Sequence, residues 1–355
     1  EGDPGSYMDR IIMEGDPYAV VEGMVIAGFA VGASEGYLYV QNGYPLAAER
    51  IAAAIERAAE AGFTGENILG SGFTFNLHFK AGAGAFVCGE ETALMQCIEG
   101  RRGNPRLRPP FPPQKGLWDS PTVINNVKTL STVPWVMARG PEWYPAHAVA
   151  DGKTRGTAML ALSGALERTG LVEVPTGTTM EHVLMEMAGG IRGGKRLKAV
   201  QTESPLGAIV PASDIEGEGG FVIEEDIGMV VMDQSACMPD IVRAIMTFTQ
   251  NESCGKCSPC RVGTKKMLGL LEDICSGLAG ENAVEVIEDM AWTMQRASIC
   301  ALGQSAAKPV LCCTEHFRDE FDAHIEQGKC PSGKCTARIA AAPAPGDAGD
   351  PKEVC

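Results

Sequence analysis

Glu252-Ser253-Cys254-Gly255-Lys256-Cys257-Ser258-Pro259-Cys260-Arg261 is the stretch on which the reading of this 355-residue chain turns. Its three cysteines stand two residues apart, so one loop can present thiolates to three corners of a single inorganic cube. Gly255 and Pro259 let the backbone bend around such a body. A cubane takes a fourth thiolate, usually from elsewhere in the sequence. Cys300, in Ser298-Ile299-Cys300-Ala301-Leu302-Gly303, lies between two helical stretches and is the candidate. Zinc is the rival occupant, but structural zinc more often takes its thiolates as separated pairs. The spacing therefore favours a [4Fe–4S] cluster on Cys254, Cys257, Cys260 and Cys300. Lys256 and Arg261 beside it either favour the reduced, more negative cluster or are solvated surface charge.

The flanks of this loop read as helical. Residues 239–252 precede it, and 261–278, 281–299 and 304–326 follow with short connections, the pattern of a four-helix bundle. Ahead of the bundle, β-like runs at 157–163, 171–174 and 197–201 surround one helix at 180–188, and a β-grasp is the expected fold. Residues 16–150 read as α/β. A strand at 36–40 is followed by a helix at 46–61 that Gly62 stops. Phe73, Phe75, Leu77 and Phe79 alternate as a strand does. Phe86-Val87-Cys88 reads as a further strand that breaks at Gly89 into a helix starting at Glu90, and strand–glycine–helix places ligands at the carboxyl end of a sheet. The expected fold class is thus α/β, with domains at 1–150, 151–228 and 229–328 and a cysteine-containing tail at 329–355. The Ala/Pro/Gly/Asp-rich residues 336–355 read as a linker or a frayed tail.

Composition narrows the function. A formal net charge of -15 argues against a nucleic-acid surface. No apolar run reaches the ~20 residues that cross a bilayer. The 13 cysteines are odd in number and no export signal accompanies them, so a reducing, cytoplasmic setting with metal-held cysteines is expected. Glu1-Gly2-Asp3-Pro4-Gly5 reads like the middle of a domain, and the sequence is expected to be part of a longer one.

Around the strand–glycine–helix stretch, Gly82-Ala83-Gly84-Ala85 admits close approach of a flat or charged group, although glycines also serve turns. Glu90 and Glu91 at a helix start complement its dipole, by ~0.3–1 kcal/mol each. They can also accept hydrogen bonds from ribose hydroxyls; on local grounds the dipole role is favoured. Asn126 precedes a helix at 127–137 and suits an N-cap. The pair Asn125-Asn126 can also grip the polar edge of a flavin. Phe111, among Pro109, Pro110, Pro112 and Pro113, is a stacking platform for adenine. Arg101, Arg102, Arg106 and Arg108 make this loop basic.

At this point the sequence resembles a known family, the flavin- and NADH-binding 51-kDa subunit of respiratory complex I, and its soluble relatives in NAD-linked hydrogenases and formate dehydrogenases. The matching stretches are EGDPG at 1–5, GAGAFVCGEETAL at 82–94, EGRRGNPRLRPPFPP at 99–113, GLWDSPTVINNVKTL at 116–130 and ESCGKCSPCRVGT at 252–264. The resemblance implies FMN, NAD(H) and one [4Fe–4S] cluster on an FMN-binding α/β domain, a ubiquitin-like domain and a helical cluster-binding bundle. It implies that Glu1, Gly89, Glu90, Glu91, Asn125, Asn126 and Thr129 contact FMN, that Glu91 and Glu1 face the nicotinamide nucleotide, and that Phe111 stacks on adenine. It reverses the local preference at Glu90 and Glu91. It also implies a thioredoxin-like [2Fe–2S] partner and a further catalytic redox subunit. The family carries a glycine-rich loop upstream of EGDPG, and QTESPLGA at 201–208 replaces a stretch usually richer in glycine. Cys330-Pro331-Ser332-Gly333-Lys334-Cys335, with Cys237, points to the soluble hydrogenase branch.

His324, Cys330 and Cys335 lack only a fourth ligand for tetrahedral zinc. Cys237 is the candidate, with Cys312 and Cys313 as alternatives; a surface histidine and free cysteines are the plain reading. Cys88, Cys97 and Cys275 fall in apolar stretches and are expected in cores. The sequence is read as a diaphorase subunit that exchanges hydride with NAD(H) and passes single electrons onward. The alternative is a non-catalytic electron wire or scaffold with a degenerate nucleotide site.

Overall fold

The structure, a computed structural model, describes residues 1–149, 156–203, 205–217 and 219–335. It is a mixed α/β chain that divides into two compact units. The first comprises Glu1–Lys195 and Ala212–Val231 with a short stretch from Thr202; the second comprises Arg196–Gln201, Pro205–Pro211 and the chain from Met232 onward. The expected tail beyond 335 lies outside the described residues.

In the first unit, α1 (Met8–Gly15) and α2 (Pro17–Val31) precede β1 (Glu35–Gln41), α3 (Pro45–Glu60) and β2 (Asn76–Gly82). β1 and β2 run parallel with Leu38 opposite Phe79. The Asp16 carboxylate starts α2 by accepting from the Ala19 N–H at 3.1 Å, and Pro17 fits the first turn. The sequence of α2, PYAVVEGMVIAGFAV, is apolar on nearly every face, so no polar–apolar rhythm announces the helix. Met13, Val20, Leu38, Val40, Ala47 and Ile51 form the core among these elements.

Residues 86–89 are a tight 3-10 turn rather than the expected strand. Their backbone groups close locally, Cys88 N–H to Ala85 carbonyl at 3.0 Å and Glu90 N–H to Val87 carbonyl at 3.1 Å. After it come α4 (Glu91–Ile98) and α5 (Val127–Arg139). Gly23 of α2 faces α5 at backbone distance; a Cβ there would lie 1.9 Å from the Leu130 carbonyl oxygen.

β3 (Thr157–Gly164) and β4 (Gly170–Pro175) are antiparallel with Leu160 opposite Val172. α6 (Met180–His182) runs into a π turn at Val183–Met187 instead of one helix over 180–188, the Ala188 N–H reaching back to the Val183 carbonyl. β5 (Leu197–Gln201) and β6 (Ile209–Pro211) are an antiparallel pair of the second unit. β7 (Ile227–Asp233) lies parallel to β3, Leu160 opposite Ile227. Its IGMVVMD run has no alternation to mark it, and the expected 228/229 boundary falls inside it. Lys128 of α5 donates to the Thr157 carbonyl at 2.8 Å and to Asp226 at 2.5 Å, and Asp226 also accepts from the Met159 N–H at 2.7 Å.

The second unit continues with α7 (Met238–Glu252), α8 (Ser258–Ser276), α9 (Ala283–Ala297), α10 (Ala301–Ser305), α11 (Lys308–His316) and α12 (Arg318–Gln327). The single helix expected at 304–326 is therefore in pieces. Pro309 starts α11 and cannot continue a helix before it, and Phe317 at φ -129° separates α11 from α12. Val242, Met246, Met267, Leu271, Ile287 and Phe321 are buried together against Ala199 and Ile209. At ~1.5–3 kcal/mol for each large side chain removed from water, this core fixes the helix starts that carry the cysteines.

Candidate functional site

The chain leaves α7 at Glu252 and turns through Gly255, whose φ of +76° suits glycine. Cys257 is the N-cap of α8, Cys260 sits in its first turn, and Cys300 is the N-cap of α10. Burial pushes the Cys260 thiol up to about 11; the Ser253 hydroxyl, 3.3 Å from its sulfur, pulls it down, and Cys257, Cys300 and Cys254 raise it further. Cys300 is raised first by burial, drawn back by the N–H groups of Gly303 and Leu302, and raised by Cys254 and Cys257. The four sulfurs thus act on one another across one neighbourhood. Arg261 donates to the Gly255 carbonyl at 2.6 Å, so it staples the loop instead of standing as loose surface charge.

Two observations test a cubane here, and the residues fit it. Ser298 Oγ is buried without a hydrogen-bond partner among the described residues. A Cβ on Gly303 would lie 2.5 Å from that oxygen and 2.9 Å from Cys260 Cβ, so the orphan hydroxyl borders the thiols and calls for an acceptor there. Secondly, the groups of ligating atoms within 4.8 Å of one another, among the described residues, do not include these four sulfurs. Zn–S bonds of about 2.3 Å in a tetrahedron require sulfurs about 3.8 Å apart. The open spacing suits a larger body than one ion.

A second set does gather. The ligating atoms of Cys237, His324, Cys330 and Cys335 all lie within 4.8 Å of one another. Cys237 Sγ is 3.6 Å from His324 Nε2 and 3.6 Å from Cys335 Sγ, the separations a tetrahedral zinc imposes. His324 is fully buried, and its Nδ1 lies 2.6 Å from the Glu320 carbonyl. With the proton on Nδ1, Nε2 turns its lone pair toward the sulfurs, the arrangement of a metal-ligating histidine. Glu320 accepts from the Met238 N–H at 3.1 Å and pairs with Lys198, which fixes α12 beside Cys237. Cys312 and Cys313 stand outside this set; Cys313 is core.

In the first unit the residues singled out around the nucleotide motifs form a linked series. The Glu1 carboxylate accepts from the N–H groups of Met8 at 2.8 Å and of Asp9 and Arg10 at 3.2 Å, and burial raises its pKa. Asn126 caps α5 by accepting from the Lys128 N–H at 2.8 Å, and its amide donates to Asp9 at 2.8 Å. Gly2 abuts Phe86, where a Cβ would lie 2.9 Å from the Phe86 Cα. The turn from Phe86 leads to Gly89, whose Cα faces open space. Glu90 caps α4, accepting from the N–H groups of Thr92 at 3.1 Å and Ala93 at 2.9 Å. Glu91 pairs with Arg108 at 2.5 Å. Phe111, Asn125 and Thr129 are exposed. Asp9, which links Glu1 to Asn126, is the residue that sequence reading missed; it lies in a helix with no recognised start signal.

A helical unit with four thiols around one neighbourhood, in one chain with an α/β unit whose glycine turn opens a helix, defines an iron–sulfur protein with a second cofactor surface. The comparisons give its family. Residues 1–135 match the Nuo51 FMN-binding domain, and residues 240–324 match the NADH-ubiquinone oxidoreductase-F iron-sulfur binding region. The chain belongs to the family of NADH-quinone oxidoreductase F subunits. It is 41% identical over 346 residues to the NADP-reducing hydrogenase subunit HndC of Solidesulfovibrio fructosivorans, covering 96% of this chain and 70% of that one. It is 40% identical over 338 residues to the second NADH-quinone oxidoreductase F subunit of Rhizobium meliloti (strain 1021), covering 93% and 80%. Among solved structures, it superposes on a chain of an NAD+-reducing [NiFe]-hydrogenase in the H2-reduced state with a TM-score of 0.83 and 33% identity. That match covers 96% of this chain and 57% of the hydrogenase chain, so it spans little more than half the length of the latter. No helix among the described residues is long and apolar enough to cross a membrane.

Proposed function

We propose that this chain is the diaphorase part of a cytoplasmic redox complex. In this reading FMN and NAD(H) lie against the Glu1–Asp9–Asn126 and Gly89–Glu91 series of the first unit. Cys254, Cys257, Cys260 and Cys300 hold a [4Fe–4S] cluster in the second. A bound flavin supplies the conversion between a two-electron hydride and single electrons. The chain's own groups orient and tune. Gly89 and the exposed Asn125, Asn126 and Thr129 offer a face that a flat ring can approach, with amide and hydroxyl groups for its polar edge. Phe111, half-exposed, offers a stacking surface to adenine. No proton needs to move through a side chain, so no acid–base pair is required. The first unit's β3, β4, β7 and α6 are read as a ubiquitin-like β-grasp, and α7–α12 as an elaborated bundle. A thioredoxin-like [2Fe–2S] subunit and a further catalytic redox subunit are the partners this reading calls for.

The observation that carries the proposal is the mutual neighbourhood of the four thiols within the stretch that matches the iron–sulfur binding region. The complex containing this chain, loaded with FMN, iron and sulfide, is expected to reduce a one-electron dye from NADH. Flavin-loaded protein without turnover would end the reading.

The tetrahedral spacing at Cys237, His324, Cys330 and Cys335 favours one structural zinc, closing α12 and the 330–335 turn onto the start of α7. Metal counting on purified protein, four irons and one zinc per chain, tests both sites together.

A further inference from the structure

Cys88 and Cys97, expected in a core on sequence grounds, stand together. Their sulfurs are 3.1 Å apart. Cys88 is buried in the turn that precedes α4, and Cys97 is partly buried in that helix's last turn. The Tyr39 hydroxyl of β1 stands near both thiols, and burial together with those two sulfurs raises its pKa. Gly103 closes the other side, where a Cβ would lie 2.7 Å from the Cys97 sulfur and 3.5 Å from that of Cys88. Neither sulfur belongs to a group of three or more metal-ligating atoms among the described residues. The pair is therefore a dithiol held between a hydroxyl and a residue that has no side chain.

We infer that Cys88 and Cys97 form a reversible thiol–disulfide couple, a modification site on the first unit oxidised by small-molecule disulfides. The inference stands apart from the cluster and zinc sites and does not depend on the flavin reading. A disulfide brings its sulfurs to about 2.05 Å, so closure asks for an approach of about 1 Å between sulfurs already in contact. Cys97, the more accessible, is the attacking group. Its thiolate bonds to one sulfur of the reagent, the reagent S–S bond breaks, and the other half leaves as a thiolate. Cys88 then gives up its proton and attacks the Cys97 sulfur, expelling the second half. Two protein thiols lose two electrons and two protons; one reagent disulfide becomes two thiols. Burial, with Cys88 adding to it, pushes the Cys97 thiol up to about 11. The first step is accordingly slow near neutrality and speeds up about tenfold for each unit that the pH rises toward that value. Once formed, the bridge ties the turn that leads into Glu90 and Glu91 to the far end of α4.

The test is redox equilibration of the full chain, anaerobically, in mixtures of oxidised and reduced glutathione. Free thiols are trapped with N-ethylmaleimide and the digest is mapped by mass. A Cys88–Cys97 linked peptide is expected to accumulate with oxidised glutathione, to vanish with excess reduced glutathione, and to form about tenfold faster at pH 8 than at pH 7. Cys97→Ser should leave Cys88 alkylated throughout, whereas Cys88→Ser should strand Cys97 as its glutathione adduct. Serine is close in size to cysteine, and unchanged melting temperatures would show that both variants fold. Two results overturn the inference: both cysteines alkylated at every mixture, or a stable glutathione adduct on wild-type Cys97 without the bridge. The peptide map reads the bond directly, so loss of NADH turnover neither mimics nor hides either result.

Discussion

Replacing Glu90 with alanine removes a carboxylate oxygen that accepts from the N–H groups of Thr92 and Ala93 and from the Thr92 hydroxyl. Losing an N-cap costs about 0.5–2 kcal/mol, and the favourable meeting of a negative charge with the helix start adds about 0.3–1 kcal/mol. Thr92 is buried, and its hydroxyl oxygen also accepts from the Arg106 N–H at 2.7 Å, so it stays in place with its own proton unpaired. These losses overlap, and about 2 kcal/mol is the expected total. For a unit of this size that lowers the melting temperature by about 4–8 °C. Differential scanning calorimetry, with urea unfolding as a check, would measure it. Glu90→Asn restores the cap without the charge and should recover about half. Flavin content of the same variants separates the two roles the residue can have. A capping residue gives stability loss in alanine, partial rescue in asparagine, and flavin content that follows stability. If Glu90→Ala melts within about 1 °C of wild type while both variants lose flavin alike, the carboxylate serves the cofactor and the capping argument is wrong.

Other sites give equally direct outcomes. His324→Ala removes a fully buried imidazole whose Nε2 lies 3.6 Å from Cys237 Sγ; on the zinc proposal above, zinc affinity should fall about 100-fold or more, read by competition with a chromogenic chelator, and equal affinity in both proteins would dissolve the site. Ser298→Ala removes the orphan hydroxyl, and the cluster's midpoint potential should move negative by about 20–60 mV, the one-electron equivalent of one hydrogen bond. A potential from electron paramagnetic resonance titration that does not move refutes that role. Asp9 has its pKa raised chiefly by burial, against the lowering effect of the Asn126 amide. The folded form thus holds the proton more readily than the unfolded one, and the associated stability is lost as pH rises from the ordinary carboxylate range through the raised value. Asp9→Asn should therefore gain stability at pH 7 relative to pH 4; parallel urea midpoints for both proteins at both pH values would contradict this.

Helix starts and cysteine spacing were the legible parts of the sequence. The helices on either side of the cysteine loop, the strand β1, the amphipathic α3 and the Asn126 cap all follow from local signals, and each is in the structure. The gathering of Cys237, His324, Cys330 and Cys335 was legible for a different reason: few residue types ligate metals, and three such residues crowded the sequence from His324 to Cys335. What escaped was structure without contrast. α2 is apolar all round and β7 is apolar on both faces, so neither has a rhythm to detect. The turn at 86–89 carries the same residue types as a short buried strand, and only its locally closed hydrogen bonds distinguish it. Glu90 shows a further limit. Charge at a helix start is the same letter in the sequence whether it caps the helix or awaits a ligand, and only the partners of its oxygen atoms tell the two apart.

Cys257 begins a helix of 19 residues. The uncompensated amides at the head of α8 amount to roughly half a unit of positive charge at that sulfur. An arriving electron gains about 0.3–1 kcal/mol from such a terminus, equivalent to about 10–40 mV for a one-electron carrier. That bias is written into the main chain. Replacing Lys256 or Arg261 would leave it untouched, so the surface charge of this chain can vary while a cluster held at Cys257 keeps a floor beneath its potential.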